Sequence, residues 1–315
     1  MKKKVVGLGE VLWDILPERT CLGGAPANFA YITTLMGNDG VVASRVGEDS
    51  RGRDALRRMQ ELRLNIGHVQ TDASHPTGTV KVELDASGQP RFEIAKPVAW
   101  DYLEWTADWR DLSAKADAVC FGSLAQRSEE SRATIRNFLK GTSSAALKIF
   151  DVNLRQAYYS QEVLEESMRL ADIVKLNDEE LPKIMRLGRF SIGSPNKSAN
   201  EAAKRSEDDD DLSSAKRLVA AFDLKLVCIT RGGRGSLLVR EGESSEHPGF
   251  RVRVADTVGS GDAFTAGLVH EYLRGASLTG MNEVANRVGA WVASEMGATP
   301  TPKHGALEKS LAEIQ

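Results

Sequence analysis

The run Ala255-Asp256-Thr257-Val258-Gly259-Ser260-Gly261-Asp262-Ala263-Phe264 places two glycines and an aspartate between a predicted strand, Arg251 to Val254, and a predicted helix, Asp262 to Arg274. Gly259 and Gly261 let the backbone bend so that successive N–H groups point one way at a helix N-terminus. Such a turn is an anion hole with a partial positive charge behind it. Asp262 stands at the helix start, where a carboxylate is stabilised, beside the place a phosphoryl group would occupy. A hydroxyl that accepts a phosphoryl group needs such a base. A tight strand-to-helix turn with an aspartate N-cap would use the same residues. No G-x-x-x-x-G-K-[ST] loop occurs in the chain. Both dinucleotide fingerprints also fail: Leu12 stands where a third glycine should follow Gly7-Leu8-Gly9, and Phe264 where one should follow Gly259-Ser260-Gly261.

Outward from this run, strands and helices alternate. Short apolar segments at Val5–Leu12, Val41–Ala43, Ala118–Phe121, Leu147–Phe150, Ile173–Leu176 and Leu226–Ile229 read as buried strands. A helix is predicted after Gly23-Gly24, with Pro26 in its first turn and Phe29, Ile32, Thr33 and Met36 on one face. Others are predicted over roughly 51–62 and 281–296. This pattern implies βαβ units and a mainly parallel sheet. The region 75–97 differs, because Val80, Val82 and Leu84 alternate with polar residues, a turn follows at 85–90, and Phe92 and Ile94 alternate again. It reads as a hairpin in a small β layer beside the main sheet. Residues 191–211 are polar and end on Glu207-Asp208-Asp209-Asp210-Asp211, which reads as a solvated, flexible surface insertion.

With 315 residues, 41% hydrophobic and 27% charged, the chain has ample interior for a core and an ordinary soluble composition. A formal net charge of -3 without a basic run argues against nucleic acid or anionic membrane as its main partner. Cys21, Cys120 and Cys228 form no C-x-x-C pair and read as small buried hydrophobes in a reducing compartment. Glu10 and Asp14 interrupt the first apolar run, so it is a strand and not a signal peptide, and a cytoplasmic location is expected.

A second motif is Leu22-Gly23-Gly24-Ala25-Pro26-Ala27-Asn28, preceded by Trp13-Asp14. Paired glycines admit a polyhydroxylated ligand close to the backbone. Asn28 offers donors and an acceptor, and an ionised Asp14 accepts from two hydroxyls. A loop followed by a helix start would look the same.

Together the two motifs resemble the signatures of the ribokinase, or phosphofructokinase-B type, family of carbohydrate kinases. Gly9-Glu10 with Asp14 and Gly23–Asn28, then Phe150-Asp151-Val152-Asn153-Leu154-Arg155, then Lys175-Leu176-Asn177-Asp178-Glu179-Glu180, are similar to its fructokinase-like branch. Thr230-Arg231-Gly232-Gly233-Arg234-Gly235 resembles the family's nucleotide loop, and Asp256 to Phe264 its catalytic signature. The segments occur in the family's order over nearly the whole chain.

The resemblance implies a single kinase domain over 1–315, folded as a three-layer α/β/α sandwich with a mainly parallel central sheet. A small β lid would come from about 10–20 and 76–98. It implies transfer of the γ-phosphate of ATP to a sugar hydroxyl, with D-fructose the first substrate. The alternatives are 2-keto-3-deoxygluconate, another ketose or a nucleoside, and, more remotely, a non-catalytic sugar-binding regulator. Asp262 would be the general base over the Gly259, Ser260 and Gly261 anion hole. Asp14, Gly23, Gly24, Asn28 and Arg155 would hold the sugar. Asn177 would approach the phosphates, Glu180 would order Mg²⁺ through water, and Thr230, Arg231, Gly232, Gly233, Arg234 and Gly235 would line the ATP site. Asn286 falls where the family places an adenine contact. A monovalent cation, K⁺, would sit among Asp256, Val258, Val292, Glu295, Gly297 and Thr301. A homodimer is compatible with the family. Two departures stand out: no acid follows Phe121-Gly122-Ser123-Leu124-Ala125, where the ribose-specific branch has one, and Ser260 replaces the commoner alanine.

Overall fold

A computed structural model describes residues 2–84, 90–187 and 210–314. From the N-terminus run β1 (Lys4–Leu8), the hairpin β2 (Leu12–Ile15) and β3 (Thr20–Gly23), α1 (Ala25–Leu35), β4 (Asp39–Gly47), α2 (Ser50–Glu61) and β5 (Val69–Asp72). A second hairpin, β6 (Gly78–Leu84) and β7 (Pro90–Ile94), precedes α3 (Ala107–Lys115), β8 (Ala118–Gly122), α4 (Glu129–Gly141), β9 (Leu147–Asp151), α5 (Gln161–Leu170), β10 (Ile173–Asn177) and α6 (Leu181–Leu187). Then come α7 (Asp211–Phe222), β11 (Leu226–Thr230), the hairpin β12 (Ser236–Arg240) and β13 (Glu243–His247), α8 (Ser260–Leu273), α9 (Leu278–Ala293) and α10 (Leu307–Ala312).

Among the described residues the strands form a nine-stranded sheet in the order β13-β12-β11-β10-β9-β8-β1-β4-β5 and a four-stranded sheet in the order β3-β2-β6-β7. The large sheet is parallel from β5 to β11 and antiparallel only at β12 and β13. Its layering follows from the two-residue period of a strand. Val6, Leu8, Val119, Phe121, Phe150, Val174, Leu176, Val227 and Ile229 pack into one core with Trp109 of α3 and Phe138 of α4. Val5, Val42, Ala118, Cys120, Ile149, Ile173, Leu226 and Cys228 pack into the other with Phe29 of α1, Phe264 of α8 and Trp291 of α9. Side chains of Asp49, Ser128, Ser160, Asp210 and Ser277 cap α2, α4, α5, α7 and α9 by accepting a backbone N–H three residues on. The parallel strands all point one way, so the loops after β1, β8, β9, β10 and β11 meet along one rim, where such sheets bind ligands.

The small sheet takes up both the first hairpin and the second, β2 pairing with β6 in parallel. Trp13 of β2 donates its indole N–H to the Arg51 carbonyl of α2 at 3.0 Å, which ties the two sheets' neighbourhoods together.

Three expectations need correction or limits. Arg251–Val254 is not a strand; Arg251, Arg253 and Val254 are exposed, Val252 packs against the core, and just beyond it Ala255 N–H reaches the Ala293 carbonyl at 2.9 Å. Cys21 is half-buried, while Cys120 and Cys228 are buried, and all three are free thiols. The polar segment 191–211 lies outside the described residues except at its end, where Asp210 caps α7 and Asp211 opens it. Among the described residues no helix is long and apolar enough to cross a membrane.

Candidate active site

The glycine turn before α8 is held by steric closure. Gly259 is the N-cap of α8 with φ 77°, and a Cβ there would stand 2.4 Å from Ala298 Cβ, so glycine is required on both counts. Ser260 turns its hydroxyl back to the Thr257 carbonyl at 2.8 Å. Ser260 N–H reaches the Thr257 carbonyl at 3.3 Å, while the next N–H groups have the unpaired position of a helix start, which is compatible with the expected anion hole. Asp262 lies in this first turn.

Asn28 of α1 meets Asp262 across 234 residues of sequence: its Nδ2 donates to Asp262 Oδ2 at 2.8 Å. Below them Lys175 of β10 donates to Asp151 Oδ1 of β9 at 3.1 Å, and the Thr265 hydroxyl donates to Asp151 Oδ2 at 3.0 Å. Lys175 Nζ lies 3.2 Å from where a Cβ on Gly261 would stand, so this buried ion pair underlies the anion hole. Loss of solvation pushes Asp262 up to about 6, reinforced by Asp151 and opposed by Asn28, Lys175 and Arg155. Lys175 stays charged despite its burial, because Asp151, Glu180 and Asp262 surround it.

The small sheet faces this centre. A Cβ on Gly23 would fall 2.3 Å from Asp14 Oδ2, so the Asp14 carboxylate lies directly over Gly23. Burial raises Asp14 to about 6, against the pull of Arg155. Glu10, just after β1, is 4% exposed and its Oε2 has no hydrogen-bond partner. Burial, with Asp262 adding to it, raises Glu10 to about 7. Asp14, Glu10 and Asp262 each lie in the field of Arg155, which is exposed on the loop after β9. Gly24 is the N-cap of α1.

The expected nucleotide side is adjacent. Asn177 closes β10 and accepts from the N–H groups of Glu179 and Glu180 at 3.0 and 2.8 Å. Glu180 is buried and its two oxygens accept from Leu154 N–H at 2.7 Å and Asn177 N–H at 2.9 Å. Thr230 ends β11, and Gly232–Arg234 form a single 3₁₀ turn before Gly235. Arg231 pairs with Asp211 at 2.8 Å and with Glu246, and Arg234 pairs with Asp178. Asn286 does not face open space: it is buried, and its NH₂ is spent on Ser236 Oγ at 2.8 Å and on Asn282. It braces the start of β12 behind the loop.

The side chain expected to hold a cation already has partners. Asp256 Oδ2 accepts from Arg19 Nη2 at 2.6 Å and from Gly297 N–H at 3.2 Å, and Oδ1 accepts from Val258 N–H at 3.0 Å. The Val292 carbonyl accepts from Glu295 N–H at 3.1 Å, and Thr301 is exposed. Asp256 is held below the usual carboxylate range, since these donors outweigh its burial.

Sequence reasoning missed Lys175, Asp151, Thr265 and Arg19 as participants. The signal for the first two was present: a lysine inside the apolar Ile173–Leu176 run and an aspartate ending the Leu147–Phe150 run. Arg19 carried none.

Known proteins match this arrangement along the whole chain. The model of the pfkB family of carbohydrate kinases matches residues 19–304. A fructokinase of Klebsiella pneumoniae is 30% identical over 321 residues, covering 98% of this chain and 96% of that one. The crystal structure of a sugar kinase from Pyrococcus horikoshii in complex with ATP has 27% identity and a TM-score of 0.77, covering 99% of each chain. A double-mutant fructokinase from Vibrio cholerae O395, with fructose, ADP and a potassium ion bound, shares the fold at a TM-score of 0.77 and 24% identity, over 100% of this chain and 98% of that one. With the family model matching most of its length and these relatives covered nearly end to end, this chain belongs to the pfkB family of carbohydrate kinases.

Proposed function

We propose that this sugar kinase is an ATP-dependent fructokinase and that Asp262 is its general base. The observation that carries the reading is the Asp262 carboxylate in the first turn of α8, one oxygen held by Asn28 at 2.8 Å, with the carboxylate of Asp14 presented from the small sheet. Support for fructose and ATP comes from the similar fructokinase of Klebsiella pneumoniae, the ATP complex of the Pyrococcus kinase and the fructose and ADP complex of the Vibrio enzyme.

In this reading the sugar lies between Asp14, Gly23, Gly24, Asn28 and Arg155, and one hydroxyl reaches Asp262. The base is ionised at neutral pH, since its pKa is about 6, and takes the hydroxyl proton as the oxygen attacks the γ-phosphorus. The N–H groups at Gly259, Ser260 and Gly261 and the Lys175 charge beneath them receive the negative charge of the transferring group. ATP lies along Asn177 and the Thr230–Gly235 loop.

Mg²⁺ would arrive carried on the nucleotide, with one or two protein carboxylates near it. Glu180 is the carboxylate that fits, each of its oxygens keeping a second lone pair. When bound, Mg²⁺ neutralises phosphate charge. The small sheet acts as a lid over the sugar and keeps out water, which would otherwise accept the phosphoryl group. The whole chain, 1–315, works as one kinase domain. ADP release measured over ketoses, aldoses, sugar acids and nucleosides tests this: fructose should show the highest kcat/KM. A sugar acid or nucleoside preferred by about tenfold or more would reassign the substrate.

A further inference from the structure

We propose that the guanidinium of Arg19 is a built-in replacement for the monovalent cation behind the anion hole, so that turnover needs no K⁺. The inference rests on the kinase reading above and on the ion pair that Arg19 already makes with Asp256, the side chain expected to hold the cation.

Arg19 sits in the turn between β2 and β3, a turn closed by Leu16 N–H on the Arg19 carbonyl at 2.9 Å. From there it reaches Asp256, 237 residues away in sequence, with an Nη2 to Oδ2 distance of 2.6 Å. Asp256 lies just before the anion-hole turn and its side chain is 11% exposed. A carboxylate this deep needs compensation, and it receives one cationic donor and two backbone N–H groups. Those donors take up three of its roughly four acceptor positions. The two backbone donors are the N–H groups of Val258 and Gly297, so both carboxylate oxygens are already engaged. A cation placed against this carboxylate would meet a guanidinium of its own sign. The local charge is already balanced, one carboxylate against one guanidinium.

The arrangement differs from an ion site in one functional respect. A dissolved ion arrives from solvent whatever the small sheet does, whereas this charge is fastened to the small sheet's first hairpin. Its presence behind the anion hole is therefore conditional on that hairpin being seated.

The test is a salt series. Sugar-dependent ADP release by the full chain is measured at constant ionic strength in potassium, sodium or choline chloride, with melting temperatures recorded in the same salts. The wild type should show kcat and ATP KM agreeing within about twofold across salts, and no melting shift specific to potassium. Arg19→Ala should lose about tenfold or more in choline chloride, regain part of it in potassium, and melt higher in potassium than in choline. Arg19→Lys should stay insensitive to the salt. Wild-type activation by potassium of more than about fivefold over choline would overturn the proposal, as would undiminished turnover of Arg19→Ala in choline chloride. If Arg19→Ala does not fold, the wild-type series alone decides. If the wild type phosphorylates no sugar in any salt, the kinase reading has failed, and the potassium-specific melting shifts still decide whether an ion or Arg19 fills the site.

Discussion

Asp262 is poised by charges of opposite sign, and that makes its role measurable. Asp262→Asn should keep ATP binding and the melting temperature while lowering kcat by about 10²–10⁴-fold, the contribution of a positioned base. Turnover within about threefold of wild type would remove Asp262 from the mechanism. A base with a pKa of about 6 works once deprotonated, so kcat/KM should rise as pH increases through an acid limb. Glu10, raised to about 7, is coupled to Asp262, so the limb belongs to the pair and not to one residue. The pair beneath the turn then gives two shifts of opposite sign. Lys175→Met removes a positive charge and should move the limb to higher pH, whereas Asp151→Asn removes a negative one and should move it lower. A purely structural ion pair would lower stability in both variants and leave the limb in place. On the sugar side, Asp14→Ala should reduce kcat/KM for the sugar by about 10–100-fold, since hydrogen bonds to a charged group contribute roughly 1.5–3 kcal/mol each, with ATP KM unmoved. A lowered melting temperature with unchanged sugar kinetics would make Asp14 a turn residue only.

The first hairpin works through register. Leu12 pairs with Gly23 and Asp14 with Cys21, and the missing side chain at Gly23 is what leaves room for the Asp14 carboxylate. Gly23→Ala should therefore displace Asp14 and raise sugar KM about as much as Asp14→Ala does; an unchanged KM would show that the carboxylate can move aside without loss. The elements legible in the sequence are those whose burial writes a pattern. β1 and β8 to β11 are buried on both faces and appear as apolar runs, while β6 and β7 alternate. β13, Glu-Ser-Ser-Glu-His, is an edge strand with only Ser245 buried, so its pairing with β12 is a backbone fact with no side-chain signature. Arg251–Val254 fails for the converse reason: it alternates charged and apolar residues, but neither sheet pairs with it.

At the scale of the whole molecule, the residues that a turn or loop must have were legible, whereas those defined by distant neighbours were not. Gly259, Asp262, Gly23 and Asn28 announce themselves locally; Arg19 acquires meaning only when folding brings Asp256 to it. Gathering carboxyls at the site also weakens the fold as pH rises. Glu10 is raised from 4.5 to about 7, so below about 4.5 it is neutral in both folded and unfolded chains. Between 4.5 and 7 the unfolded chain ionises first, and stability is lost across that window. The loss is on the order of 3 kcal/mol at one pKa unit per 1.36 kcal/mol. Glu10→Gln should thus melt on the order of 5 °C higher than wild type at pH 8, with the gap closing toward pH 4.5. Equal gaps at both ends would mean that Glu10 is not buried as a neutral acid. Finally, Trp100, Trp109 and Trp291 are fully buried, whereas Trp13 is half-exposed on β2 and held by its indole N–H to the Arg51 carbonyl of α2. Any tilt of the small sheet against α2 must break or remake that bond and change the polarity around the ring. The protein thereby carries an intrinsic fluorophore at the seam: if the small sheet closes on the sugar, adding the sugar should shift the emission, and a Trp13→Phe variant should lose that shift while Trp105 stays.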